Sequence, residues 1–202
     1  IFLVIENLFL KLFKEFSNKK LASEKFPRIK YSEAIEKYGT DKPDLRNPLI
    51  ISNITEIFSR DDVKFDIFKK EVSKGKVVKA IITKNTKDKP RSFFDNIDNW
   101  AKKEGSGGLA YFTFIEENNK VVGKGPVGKF FSPEACEKIL KLTNSEIGDS
   151  IFMSCGQKKD VEKILSLARN KIAEDLNLIS NDIFSFCWII DYPMYELDEK
   201  TK

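Results

Sequence analysis

The sequence predicts a mixed fold, α/β or α+β, in which short strands alternate with amphipathic helices. Two segments carry this prediction: residues 77–83 form a β-branched, apolar run, and residues 158–178 repeat apolar side chains at helical spacing. The composition, 41% hydrophobic and 33% charged, is typical of a globular protein. At 202 residues the chain can bury roughly 70% of its unfolded surface without disulfide bonds.

The first predicted element is an amphipathic helix over residues 1–16, packed on a larger body. Charged side chains at Glu6, Lys11 and Lys14 interrupt it well short of the ~20 apolar residues that cross a bilayer. It lacks the flanking features of a signal peptide. Its apolar residues recur at helical spacing: Ile5, Leu8, Phe9, Leu12, Phe13 and Phe16.

A second helix is predicted from residue 31, followed by a turn. We expect Ser32 to cap the helix and Gly39 to end it in a left-handed conformation. In the turn over residues 40–46, Asp41 is expected to hold backbone donors while Pro43 fixes φ.

The middle of the chain predicts strands on either side of a helix. Residues 48–54 and 64–72 are extended or mixed, whereas residues 77–83 are a strand, entered through a turn at 73–76 and followed by a polar loop at 85–91. Ser92 is expected to cap a helix that runs to about residue 104, with Asp95 in the reciprocal capping position.

The last third of the chain predicts a hairpin, two helices and two strands. Residues 109–115 and 120–122 flank a polar turn, and Ser132 with Pro133 opens a helix. A short strand at 150–154 precedes the clearest helix, 158–178. Residues 184–190 are apolar on both faces, as in a strand buried within a sheet.

Residue types restrict the possible chemistry. The absence of histidine excludes Ser-His-Asp and Cys-His catalysis within this chain. Three cysteines, far apart and odd in number, argue against a zinc site and favour a reducing cytoplasm. A Ser-Lys pair stays possible, although no pattern indicates one. We therefore predict no catalytic, cofactor-binding or metal-binding residue here.

Two glycine-rich segments resemble nucleotide-binding loops only in part. Gly123, Gly128 and Lys129 match the start of a phosphate-binding loop, but Phe130 stands where that loop needs Ser or Thr. Residues 105–108 follow a helix and precede a strand, the reverse of a dinucleotide-binding turn. We interpret the first segment as a bend and the second as a helix end. Asp191, at a strand end, is read as satisfying backbone donors rather than as catalytic.

Basic residues are the remaining candidates for a functional site. A net charge of +4, from 35 basic and 31 acidic residues, permits contact with RNA without requiring it. Lys74 and Lys76 lie in a predicted turn, and Lys124 and Lys129 lie near the glycine-rich bend. The four are candidates for contact with nucleic-acid phosphates, although lysines at turns are commonly only solvated.

Four strings identify a family resemblance. Residues 26–46, FPRIKYSEAIEKYGTDKPDLR, resemble the stretch after the second class-defining motif of bacterial-type aspartyl-tRNA synthetases. Residues 107–111 and 125–130 are similar to the family's KGLAY and GPIAKF segments, with Gly107 in place of Lys and Gly128 in place of Ala. Residues 188–196, WIIDYPMYE, are similar to its WVVDFPMFE strand.

The resemblance implies an α+β fold with a two-layer insertion domain of GAD type, in the order β2-α-β2-α. That domain would occupy residues 47–182, and residues 1–46 and 183–202 would be pieces of a class II catalytic core. The parent enzyme would be a cytoplasmic homodimer that uses ATP and Mg²⁺ to activate aspartate and then charges tRNA. The family's motif arginines and active-site histidines have no counterpart here. Together with the missing initiator Met, this implies a fragment without bound cofactor and without adenylation activity.

Two alternatives stay open. The chain is a non-catalytic tRNA-binding or interaction module, like the related domain of a tRNA-dependent amidotransferase, or it is a structural spacer. Residues 26–46 and 188–196 favour the synthetase because they resemble its core rather than the shared domain.

Overall fold

A computed structural model describes residues 1–195 of the chain. Within this range it contains helices and strands in the following order: α1 (Phe2–Phe16), β1 (Lys20–Leu21), β2 (Arg28–Lys30), α2 (Tyr31–Tyr38), β3 (Ile51–Asn53), α3 (Asp66–Val72), β4 (Val77–Thr83), α4 (Arg91–Lys103), β5 (Ala110–Glu117), β6 (Lys120–Lys124), α5 (Pro133–Thr143), β7 (Ser150–Gly156), α6 (Lys158–Asp175), β8 (Ile183–Phe184) and β9 (Trp188–Ile190). Two short 3₁₀ helices, Thr55–Ser59 and Gly128–Phe130, complete it. The strand predicted at 77–83 is confirmed residue for residue.

A five-stranded antiparallel sheet forms the centre, in the order β3-β4-β7-β5-β6. Strand β7 lies in the middle and pairs with β4 over seven residues, from Ser150 opposite Thr83 to Gly156 opposite Val77. The predicted hairpin is confirmed, with a shorter turn. Asn118 and Asn119, at φ 52° and 58°, form the two-residue connection between β5 and β6.

Helices cover both faces of this sheet. One face packs on α4 and α6 through residues such as Ile81, Phe152 and Leu165. The other packs on α5 and the first 3₁₀ helix through residues such as Phe112, Met153 and Ile139. The predicted α+β class is confirmed, and a third layer extends the two expected ones. Strands β4, β5 and β7 are apolar on both faces, so each face needs a cover.

The two ends of the chain lie beside each other. Strand β1 pairs with β8 and β2 pairs with β9, both in parallel. Helix α1 packs on these pairs through aromatic rings, with Phe13 4.6 Å from Phe184 and Phe2 4.8 Å from Trp188. The prediction of one buried strand over 184–190 is wrong. The segment divides into β8 and β9, which are only partly buried because α1, rather than a second sheet layer, covers them.

Helix ends test the capping predictions directly. Gly39 ends α2 at φ 69°, and the Ser132 hydroxyl accepts a 3.0 Å hydrogen bond from the Ala135 N–H, as predicted. The assignments of Ser32 and Ser92 as caps are wrong because both helices begin earlier, with Lys30 and Pro90 in the cap positions. Part of the extended or mixed segment at 64–72 is helix α3.

Candidate functional site: a basic cleft

A cleft of about 510 Å³ gathers positive charge at the β5–β6 side of the sheet. We call it the basic cleft. Its lining includes five basic residues from separate parts of the chain: Lys87, Lys89, Arg91, Lys124 and Lys129. The structure thus brings Lys124 and Lys129 together, and it adds three cations that sequence reasoning missed.

The loop carrying Lys87, Lys89 and Arg91 is held by a buried carboxylate. Asp149, just before β7, accepts hydrogen bonds from the Asn85 N–H at 2.9 Å and from the Lys84 ammonium at 2.8 Å. The Lys87 N–H also donates to the Gly148 carbonyl at 3.0 Å. The loop therefore has a defined path over the start of α4.

A glycine bend positions the opposite wall. Gly125, at φ 146°, lies so close to β5 that an added Cβ would stand 3.0 Å from the Phe112 Cα. At Gly128 an added Cβ would collide with the Gly123 carbonyl oxygen. Only glycine permits these approaches. This geometry agrees with the bend interpretation of the segment, and it places Lys124 and Lys129 on the two sides of the bend.

The floor of the cleft is aromatic but closed to stacking. Phe94 and Tyr111 are only 5% and 6% exposed, and their rings stack on each other at 5.2 Å. The Tyr111 hydroxyl donates to Asp95 at 2.5 Å. Burial, followed by this hydrogen bond, raises the pKa of Tyr111 to about 12. The hydroxyl therefore stays neutral and engaged. Asp95 was expected to cap α4, but it instead links Tyr111 to Arg91, 3.3 Å away.

The charges of the cleft favour anions. Only Arg91 among its five cations has a carboxylate within 4 Å in the described residues, namely Asp95. Lys89 and Lys129 instead lie over the rings of Phe93 and Phe130, at 5.8 and 5.2 Å. Such a group of cations attracts phosphate oxygens without reading a base sequence.

Lys74 and Lys76 lie elsewhere and share one carboxylate partner. Both pair with Glu71, Lys74 at 2.8 Å, and these hydrogen bonds lower the pKa of Glu71 to about 2. Lys76 lines a different pocket, beside Gly105 and Gly107. The four predicted candidates therefore form two pairs in different places, and only one pair belongs to the basic cleft.

The remaining candidate groups, two cysteines and Asp191, lie in surroundings that indicate a structural role. Burial raises the pKa of the Cys136 thiol to about 12 and that of Cys155 to about 11. Asp191, at φ 57°, lies 3.6 Å from Lys30 beyond the end of β9. Within residues 1–195 there is no group of three His, Cys, Asp or Glu side chains able to hold a metal ion. Across the same residues, every helix is too short or too polar to traverse a bilayer.

Known proteins align with this chain over the central sheet and the basic cleft. The GAD domain family matches residues 68–165, which include β4 to β7 and both walls of the basic cleft. An aspartate–tRNA(Asp/Asn) ligase of Pelagibacter ubique is 63% identical over 201 residues, covering 100% of this chain and 34% of the relative. Ligases of the same name from Beijerinckia indica and Wolbachia pipientis are 43% and 45% identical, each over 100% of this chain. The chain spans about a third of the length of these relatives.

Proposed function

We propose that this chain belongs to the aspartyl-tRNA synthetase family and is part of an aspartate–tRNA ligase, because the GAD domain family matches residues 68–165 and a ligase aligns with the whole chain. The parent enzyme, a cytoplasmic homodimer, activates aspartate with ATP and Mg²⁺ and transfers it to the 3′ end of tRNA. The names of the relatives include both aspartate and asparagine tRNAs, and we extend that pair of substrates to the parent.

Residues outside the GAD match favour a ligase over an amidotransferase-related module. Residues 1–67 and 166–202 lie outside that match, yet the ligases align with the whole chain. We divide the chain into catalytic-core pieces at 1–46 and 183–202 and an insertion domain at 47–182. The parallel pairing of β2 with β9 supports this division, because it brings the two outer pieces together while the sheet lies between them in sequence.

The insertion domain positions tRNA through phosphate contacts in the basic cleft. The convergence of five cations from two separate segments of the chain, 87–91 and 124–129, is the observation that carries this proposal. Because Phe94 and Tyr111 are buried beneath them, the contact depends on charge rather than on stacked bases. Such a contact adds affinity without sequence preference and weakens as salt rises.

The test measures the affinity of the 202-residue chain for an aspartate tRNA transcript. Each phosphate contact raises the affinity for tRNA about 5- to 8-fold at 0.1 M salt compared with 1 M salt. Because the Lys124→Ala/Lys129→Ala variant loses two such contacts, at 0.1 M salt it should bind ~25- to 60-fold more weakly than the unmodified chain. The matched control is Lys74→Ala/Lys76→Ala, which removes the same charge outside the cleft and should change affinity little. Equal losses in both variants would indicate general charge attraction. Unchanged affinity in the cleft variant would support the spacer alternative.

A further inference from the structure

Helix α6 holds the connector between α2 and β3 through a buried arginine. Arg169 is 1% exposed, and its guanidinium donates to the carbonyls of Leu49, Asn47 and Asp44 at 2.6, 2.7 and 2.8 Å. In return, the Asn47 side-chain amide donates to the Arg169 carbonyl at 3.0 Å. One side chain therefore joins three backbone positions of an irregular segment to the middle of a long helix.

These bonds go to backbone carbonyls rather than to a carboxylate. No described carboxylate lies within 4 Å of the guanidinium, and burial lowers the pKa of Arg169 from its ordinary value. A shorter or apolar side chain would leave the Leu49 and Asn47 carbonyls without a donor, whereas the Asp44 carbonyl would keep the Asn47 N–H at 3.3 Å. The planar fork of arginine suits several acceptors at fixed angles.

A buried ion pair fastens α2 to the same helix. Lys79 on β4 donates to Glu162 of α6 and Glu36 of α2, both at 2.8 Å. Its side chain is 1% exposed. The sheet, α6 and α2 thus meet at one ammonium group.

The end of α2 is also in direct contact with the α6 backbone. A Cβ added to Gly39 would collide with the Glu162 carbonyl oxygen and stand 2.8 Å from the Ser166 Cβ. This close approach packs the C-terminal end of α2 directly on the α6 backbone.

We propose that Arg169 is a positioning residue that fixes the connector, residues 44–49, so that α2 and the sheet move as one body. The connector leads into β3 at one edge of the sheet, and the basic cleft lies beside β6 at the other. Four inter-strand spacings separate these edges, about 19 Å, so a rotation of about 20° at the connector would displace the cleft by roughly 7 Å. The consequence for tRNA rests on the function proposed above, whereas the one-body packing does not.

Hydrogen exchange of the 202-residue chain tests the proposal. Arg169→Met should accelerate exchange about tenfold or more in α2 and residues 44–49, while amides of β4 and β7 keep their rates within about twofold. The matched control is Lys171→Met, which removes one charge from the same helix at a partly exposed pair with Asp175 and should change neither region.

Two results would overturn the proposal: unchanged exchange in the connector, or equal acceleration in every segment, which would make Arg169 a general contributor to stability. Should Arg169→Met fail to fold, Arg169→Lys gives the same comparison with part of the donor set retained. Binding of the tRNA transcript separates the two proposals. Arg169→Met should bind the transcript as the unmodified chain does, because a rotation at the connector moves the cleft as a whole and leaves its cations in place relative to one another. A null result with Lys124→Ala/Lys129→Ala would count against the cleft alone.

Discussion

Replacing Lys79 by methionine tests the buried ion pair that joins the sheet, α6 and α2. The substitution keeps an unbranched side chain that ends about where the lysine Cε lies, but it removes the ammonium group that contacts Glu162 and Glu36. Among residues 1–195, Glu162, 7% exposed, would then retain only Lys158 as a cationic partner, 3.8 Å away at the surface. Glu36 is 41% exposed and can be hydrated instead. The cost therefore falls mainly on Glu162.

The expected loss of stability follows from how exposed Glu162 and Glu36 are. Removing one member of a buried ion pair lowers the free energy of unfolding by ~3 to 5 kcal/mol. For Lys79→Met we expect a loss of ~3 kcal/mol, because Lys158 remains near Glu162 and Glu36 is hydrated. Glu162→Gln alone should lower the free energy of unfolding by ~1.5 kcal/mol, since Lys79 still has Glu36 as an ion-pair partner. With both substitutions no charge is left isolated, and the cost should be ~2 kcal/mol rather than the additive ~4.5. The difference, ~2.5 kcal/mol, is the expected coupling.

Urea unfolding followed by far-UV circular dichroism measures these free energies, provided that the slope with denaturant stays constant across variants. Lys171→Met is the control, because its i,i+4 pair with Asp175 lies near the surface and should contribute only ~0.3 to 0.5 kcal/mol. The reasoning is refuted if Lys79→Met costs no more than this control, or if the double variant equals the sum of the single ones.

The remaining predictions concern titration and catalysis. In an NMR titration Glu71 should show a pKa of about 2, and replacing Lys74 and Lys76 by methionine should return it toward 4.5, because their hydrogen bonds are the cause. As the folded-state pKa is depressed, the stabilisation by this cluster is present above pH ~4.5 and is lost as the pH falls toward 2; an unshifted Glu71 would contradict this. The 202-residue chain alone should show no aspartate-dependent exchange of pyrophosphate into ATP, since groups that stabilise the transition state are not found in it; measurable exchange would disprove that.

Much of the fold could be predicted from the sequence because its signals are local. The apolar run of β4, the stripe of α6 and the Ser132-Pro133 helix start each depend on neighbours within a few residues. The division of 184–190 into two strands could not be predicted, because it depends on α1 packing from the other end of the chain.

The same distinction applies to the basic cleft. Lys124 and Lys129 could be found because glycines mark the bend that carries them. Lys87, Lys89 and Arg91 were missed because the loop is held by Asp149, a contact across more than sixty positions of sequence. Their alternate spacing in a polar loop was the available signal, and it is weak in a lysine-rich chain. Lys74 lies three positions from Glu71, a spacing that indicates pairing from sequence alone.

The salt dependence of tRNA binding tests the central claim most directly. The logarithm of the affinity should fall with the logarithm of the salt concentration by about 0.7 to 0.9 for each phosphate neutralised. If the basic cleft holds the phosphates, Lys124→Ala/Lys129→Ala should reduce this slope by about 1.4 to 1.8, while Lys74→Ala/Lys76→Ala should leave it unchanged. Identical slopes in the unmodified chain and in the cleft variant would contradict the assignment of the basic cleft as the tRNA contact.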